Sequence, residues 1–230
     1  MRADAARHRL LFVGLVIMVV AQPLLVHASE IVAQVFDTAF GVLDLGIFLA
    51  LCRTRWERRT GILLFVPVVV ANLAMSALPG ELKHVVIAAF HGAVAVFLGF
   101  AVAVIVRLLA RTSVIRTDDV MGAVSGYILA ALAWSHLYAL AYILAPDSFR
   151  VDPAVAAEMG NWRGRRVLFE YLSFTTLTSI GFSDVTPAGP PMYSLTWMET
   201  IFGQFYMAVV VAQLVGLKLA QAMNGRRERG

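Results

Sequence analysis

Six long apolar stretches, roughly 10–28, 31–52, 61–79, 84–110, 121–145 and 193–223, leave this chain few folds to choose from. A helix needs about 20 predominantly apolar residues to cross the hydrocarbon core of a bilayer, and each stretch meets or approaches that length. The residues are 60% apolar and only 15% charged, whereas a soluble domain is nearer half apolar and a quarter charged. The expected class is an all-α integral membrane protein of six transmembrane helices, with little chain left for a soluble domain. A seventh apolar piece, about 166–178, is too short to span and fits a re-entrant helix.

The formal charge of +4 does not make nucleic acid an expected partner. The basic residues gather in the short loops between apolar stretches, as a charge-set topology requires. With the N-terminus cytoplasmic, every Lys and Arg except Lys83, Arg150, Arg163, Arg165 and Arg166 falls on the inner side. Both termini are then expected inside, with the loop from about 146 to 192 opening outward. The first segment, after Arg2, Arg7 and Arg9, has a signal-peptide-like end at Val26-His27-Ala28. Its apolar run exceeds the usual h-region and no soluble domain follows, so an uncleaved helix is expected. Cys52 is the single cysteine, which excludes an intrachain disulfide.

The outward loop divides into parts. Pro146 to Arg165 is polar and reads as an exposed turret, followed by the short helix and then by prolines at 187, 190 and 191 that stop regular structure before the last stretch. Between them lies Phe174-Thr175-Thr176-Leu177-Thr178-Ser179-Ile180-Gly181-Phe182-Ser183-Asp184. Hydroxyl residues lead into a short β-branched, Gly and aromatic segment, closed by a carboxylate. Irregular backbone at membrane depth is tolerated only where it lines a cavity or is buried in protein. A cation entering a membrane must exchange its water shell for other oxygens, which a ring of backbone carbonyls supplies. Aiming successive carbonyls at one axis demands unusual backbone angles, which glycine adopts most cheaply.

The run from Tyr171 through Asp184 to Pro187 resembles the pore segment of bacterial potassium channels, commonly Y-F-S-F-V-T-L-T-T-V-G-Y-G-D-I-T-P. The likeness continues into Glu199-Thr200-Ile201-Phe202-Gly203-Gln204-Phe205-Tyr206 and covers roughly residues 117–220. It implies a six-helix chain with one pore loop and a tetrameric potassium-channel pore in the inner membrane, potassium being the permeant ion and no cofactor being needed. The implied ion sites are the carbonyls of Ser179, Ile180, Gly181 and Phe182 with the Ser179 hydroxyl, and Ser183 completes the filter. Tyr171, Thr175, Thr176, Thr178 and Asp184 would support it, with the Tyr171 hydroxyl bracing the Asp184 carboxylate. Gly203 stands in register with the inner-helix hinge glycine, although a membrane-helix glycine also marks close packing. Ser183 replaces the family's second filter glycine. If that position needs a positive φ, a non-glycine residue costs on the order of 1–2 kcal/mol there.

Three segments follow: a four-helix membrane bundle over 1–116, a pore domain over 117–224 and a basic cytoplasmic tail over 225–230. The fourth stretch carries only Arg107 and Arg111 near its inner end, which suits topology anchors better than a voltage sensor. Asp37 and Asp44, seven residues apart, share one helix face and are functional or hydrogen-bonding candidates. Glu199 is expected to find a structural partner near the pore helix. His84 and His91, also seven apart, raise the reading of a haem-binding electron carrier, with His27 and His136 read as isolated. A weakly selective cation channel and a non-conducting homologue are two further readings, and both rest on Ser183. Expected partners are membrane lipid and three further copies of the chain. A regulator would be another protein, the lipid or a small ligand in the bundle.

Overall fold

Local capping signals divide the chain into its helices. In a computed structural model that describes residues 7–26, 28–78, 80–112, 117–181 and 183–227, eight helices are formed. They are α1 (Arg7–Leu24), α2 (Glu30–Leu51), α3 (Arg55–Ala77), α4 (Gly80–Ala110), α5 (Thr117–Leu144), α6 (Ala156–Gly160), α7 (Trp162–Leu177) and α8 (Pro190–Arg227). The Ser29 side chain accepts from the Val32 amide at the start of α2. Thr54 and Glu57 form a reciprocal capping box on α3. The Asn161 side chain caps α7 through the Arg163 amide, and a proline, which needs no amide partner, opens α8.

Each of the six long apolar stretches is occupied by a helix. Among the described residues, four helices are long and apolar enough to cross a membrane: Arg55–Met75, Leu82–Ala110, Thr117–Leu144 and Pro190–Gly216. In α1 the apolar part, His8–Leu24, is shorter. The expected short helix begins four residues earlier than the apolar pattern suggested, at Trp162, because Asn161 supplies its cap. Its 16 residues reach about 24 Å at 1.5 Å per residue, less than the roughly 30 Å of a bilayer core.

The main seam runs between α4 and α5, with α1 laid along α5, α3 along α4, and α7 between α5 and α8. One apolar core joins these layers, from Leu11 and Leu15 through Phe97, Ile105 and Leu132 to Leu177, Tyr206 and Val210. It includes residues on both sides of the boundary expected at residue 116, so the two parts of the chain share buried contacts. Near the C-terminal end of α4, Arg107 lies 3.9 Å from the Glu57 carboxylate, which ties α4 to α3.

The turret is not a simple polar excursion. Phe149–Val151 forms β1 and pairs antiparallel with β2, Val185–Pro187, in the register Phe149 with Pro187, Arg150 with Thr186 and Val151 with Val185. The alternation of Phe149, Arg150 and Val151 places Phe149 against Tyr138 and Phe169 in a second buried cluster that also includes Met159 and Val185. The segment leaving the motif is thus clamped to the turret. Two more backbone bonds extend the clamp, Asp152 amide to Asp184 carbonyl at 2.8 Å and Ala188 amide to Ser148 carbonyl at 2.7 Å.

Candidate ion-conduction site

The site begins where α7 stops. A helix end leaves four carbonyls without partners, and here each of the four is capped by a nearby donor. The Thr178 amide and hydroxyl reach the Phe174 carbonyl, at 3.1 and 2.6 Å. Ile180 and Gly181 both donate to Thr175, at 2.8 and 3.1 Å, and Ser179 donates to Thr176 at 2.9 Å. The Tyr127 hydroxyl of α5 takes the last, Leu177, at 2.9 Å. The bonds from Ile180 to Thr175 and from Ser179 to Thr176 form a Schellman closure, whose turning residue is usually a glycine in the left-handed region. Ser179 holds that position with φ 60°, at a cost of about 1 kcal/mol relative to glycine. Gly181 follows at φ 78°.

This closure gives the motif two unlike sides. The amides of Ser179, Ile180 and Gly181 are turned back into the helix end. Among the described residues, nothing donates to their carbonyls, and all three residues are exposed, Ile180 at 58%. The Ser179 hydroxyl accepts from the Gln204 amide of α8 at 2.8 Å. Phe182 lies outside the described residues, and so does the φ of Ser183, which is set across its bond to Phe182. The Ser183 hydroxyl accepts from the Val185 amide at 3.2 Å, which fastens the exit of the motif to β2.

Two contacts hold the end of α7 to α8. A Cβ built on Gly203 would collide with the Leu177 carbonyl oxygen and also approach that residue's side chain. Gly203 therefore lets the backbones of α8 and α7 come together. Higher up, Glu199 is fully buried, and its carboxyl group meets the hydroxyls of Tyr138 on α5 and Ser173 on α7. Ser173 also contacts the Ala131 carbonyl at 2.6 Å. One acidic side chain thus joins three helices, and its desolvation is offset by hydrogen bonds.

The remaining sequence candidates separate. Thr175 bonds back to the Tyr171 carbonyl at 2.9 Å, as a helical threonine does, and Thr176 is buried. The expected brace from Tyr171 to Asp184 is not formed: among the described residues no hydrogen bond joins them, and Tyr171 is 43% exposed. What anchors Asp184 is its backbone, through Asp152. His136, read as isolated, is buried on α5 with its Nδ1 2.9 Å from Nδ1 of His91. Their sequence separation hid this pairing. His84 is exposed, so it does not share the setting of His91. Among the described residues no three His, Cys, Asp or Glu side chains group as metal ligands do. The backbones of Asp37 and Asp44 lie in α2, and their side chains are outside what is described; His27 is also outside.

A family model described as Ion channel matches residues 126–217. The match supports an ion channel. It takes in the α5, α7 and α8 residues that surround the motif, including Tyr127, Tyr138, Ser173, Glu199 and Gly203. No curated protein and no solved structure matches the chain. Three supporting residues escaped the sequence reading: Tyr127, Tyr138 and Ser173. A buried carboxylate needs hydroxyl or amide donors. The available signal was therefore Glu199 itself together with hydroxyls on neighbouring helices.

Proposed function

We propose that the chain is one subunit of a homotetrameric potassium channel of the bacterial inner membrane, with six transmembrane helices and both termini cytoplasmic. Four copies of the segment from Ser179 to Ser183 would face a common axis and pass potassium without chemical change. One such segment per chain gives one wall of a four-sided filter, so three further copies complete it. The observation that carries this reading is the segregation of the motif's polar groups. Its amides are consumed by the end of α7, while the carbonyls of Ser179, Ile180 and Gly181 accept nothing among the described residues and are exposed. A dehydrated cation requires such free oxygens. The apolar surface of α8 at Ile201, Phe205 and Val209 is exposed in the single chain and would meet lipid or neighbouring subunits. In this reading residues 117–224 form the pore, residues 1–116 a peripheral bundle and residues 225–230 a basic tail.

Potassium, rather than cations in general, is supported by the likeness of Ser179 to Asp184 to the potassium filter. A second reading, a weakly selective cation channel, is favoured by Ser179 at φ 60° and by serine at 183. Flux from liposomes containing purified protein separates the two: potassium should pass in clear preference to sodium. Equal permeability would leave the weakly selective reading. Absence of any flux, restored by Ser183→Gly, would identify a non-conducting homologue whose outer ring is strained.

A further inference from the structure

Helices α1 to α5 and the start of α7 line a cavity of about 170 Å³, and its wall changes character along its length. Toward the turret it is lined by Asn72, His136, Trp162 and Arg166. Toward the opposite end the lining is Leu15, Phe48, Phe65 and Phe97. Val42 of α2 and Val69 and Leu73 of α3 line the cavity and are also exposed on the outer surface. The seam between α2 and α3 is therefore its side entrance, and it opens beside α3, whose residues Arg55–Met75 are long and apolar enough to cross a bilayer.

An apolar cavity of about 150 Å³ in a protein core takes up benzene-sized guests, so this one has room for a segment of hydrocarbon chain. The polar end selects among hydrocarbon guests. Arg166 is ion-paired with Glu170 at 3.0 Å, and His136 is bonded to His91. That end offers hydrogen bonding in an already neutralised setting, which suits an ester or carboxyl oxygen better than a second strong charge. We propose that the cavity binds one lipid acyl chain, which enters between α2 and α3 and lies with its carbonyl end toward Arg166 and Trp162. Both of those residues belong to the first turns of α7, so the bound chain touches the helix that carries the filter motif. The proposal stands independently of which ion, if any, the protein conducts.

The test uses the full chain in liposomes containing a photoreactive acyl group. One arm carries it on a phosphatidylglycerol chain and the other on a free fatty acid, which distinguishes the two sources of the same chemistry. Labelling should concentrate on cavity-wall residues such as Met18 and Met75 over Leu63, which is exposed on α3 outside the cavity. Gly41 lines the cavity, and a Cβ there meets only ordinary contact with Phe65. Gly41→Leu should fill the space and reduce labelling of Met18 and Met75 by at least about tenfold, the loss expected when two methylene groups are denied burial. Val94→Phe, entering from α4, should do the same, while labelling of Leu63 stays constant in both. Label spread equally over Leu63 and the two methionines in both arms would overturn the proposal. So would undiminished cavity labelling in whichever of the two variants keeps the wild-type elution volume.

Discussion

Gly41 and Gly203 are both interior glycines of long helices, yet their surroundings differ sharply. A side chain added at Gly41 points into the cavity and meets Phe65 at 3.9 Å. A side chain added at Gly203 meets the backbone carbonyl of Leu177, which has no rotamer through which to yield. The comparison extends to the regions they occupy. Around Gly203, α5, α7 and α8 are bound by directed hydrogen bonds at Tyr127, Tyr138, Ser173 and Glu199. Around Gly41 the packing is apolar and leaves a hollow. The layer of α5, α7 and α8 is built to one geometry, whereas the packing around α2 and α3 has space to adjust.

The largest expected effect is that of Gly203→Ala. Forcing a methyl against fixed backbone should cost about 3 kcal/mol per chain, the upper end of overpacking penalties, read as a lower unfolding temperature in detergent and loss of flux. A stability equal to wild type would mean that α8 is free to move away from α7. Next comes Glu199→Leu, which removes the acceptor of a buried tyrosine hydroxyl; about 2 kcal/mol should be lost, and Tyr138→Phe in the same chain should return part of it. If the double variant is no more stable than the single one, the three-helix junction is not the source of the loss. Ser179→Gly acts in the opposite direction. Relief of the left-handed serine should raise stability by about 1 kcal/mol, while its lost hydroxyl frees Gln204 and alters ion flux; a fall in stability would show that the Gln204 bond outweighs the strain. Gly41→Leu should give the smallest change, a gain of about 0.5 kcal/mol from cavity filling and helix propensity. A loss matching that of Gly203→Ala would erase the contrast between the regions.

The helices were legible in the sequence because length and apolar content are local properties. The short α7 was legible for the same reason, and its early start at Trp162 required only the recognition of Asn161 as a cap. Gly203 stood open between hinge and packing until its neighbour was known. Nothing near it in sequence names Leu177. Glu199 could be recognised as a buried carboxyl in search of donors, whereas Tyr138 and Ser173 lie 61 and 26 residues away on other helices. The brace expected between Tyr171 and Asp184 rested on likeness alone; among the described residues Asp184 is held through its backbone carbonyl, by the Asp152 amide just after β1. A positive φ at Ser183 was a conditional expectation, drawn from comparison with a glycine, and that angle lies outside the described residues. The left-handed serine found among the described residues is Ser179, four positions earlier, where helix termination rather than ion ligation sets the angle.

The Glu199 junction also bears on how the chain is made. Synthesis proceeds from the N-terminus, so α5 and α7 emerge before α8. A carboxyl group is costly in the hydrocarbon layer until it finds donors, and both of its donors belong to segments already delivered when it arrives. The last long helix therefore carries the group that rewards docking onto the earlier ones, and a chain with α5 or α7 out of register would leave that group stranded in lipid. Docking of α8 would in this way report on the placement of α5 and α7 before it.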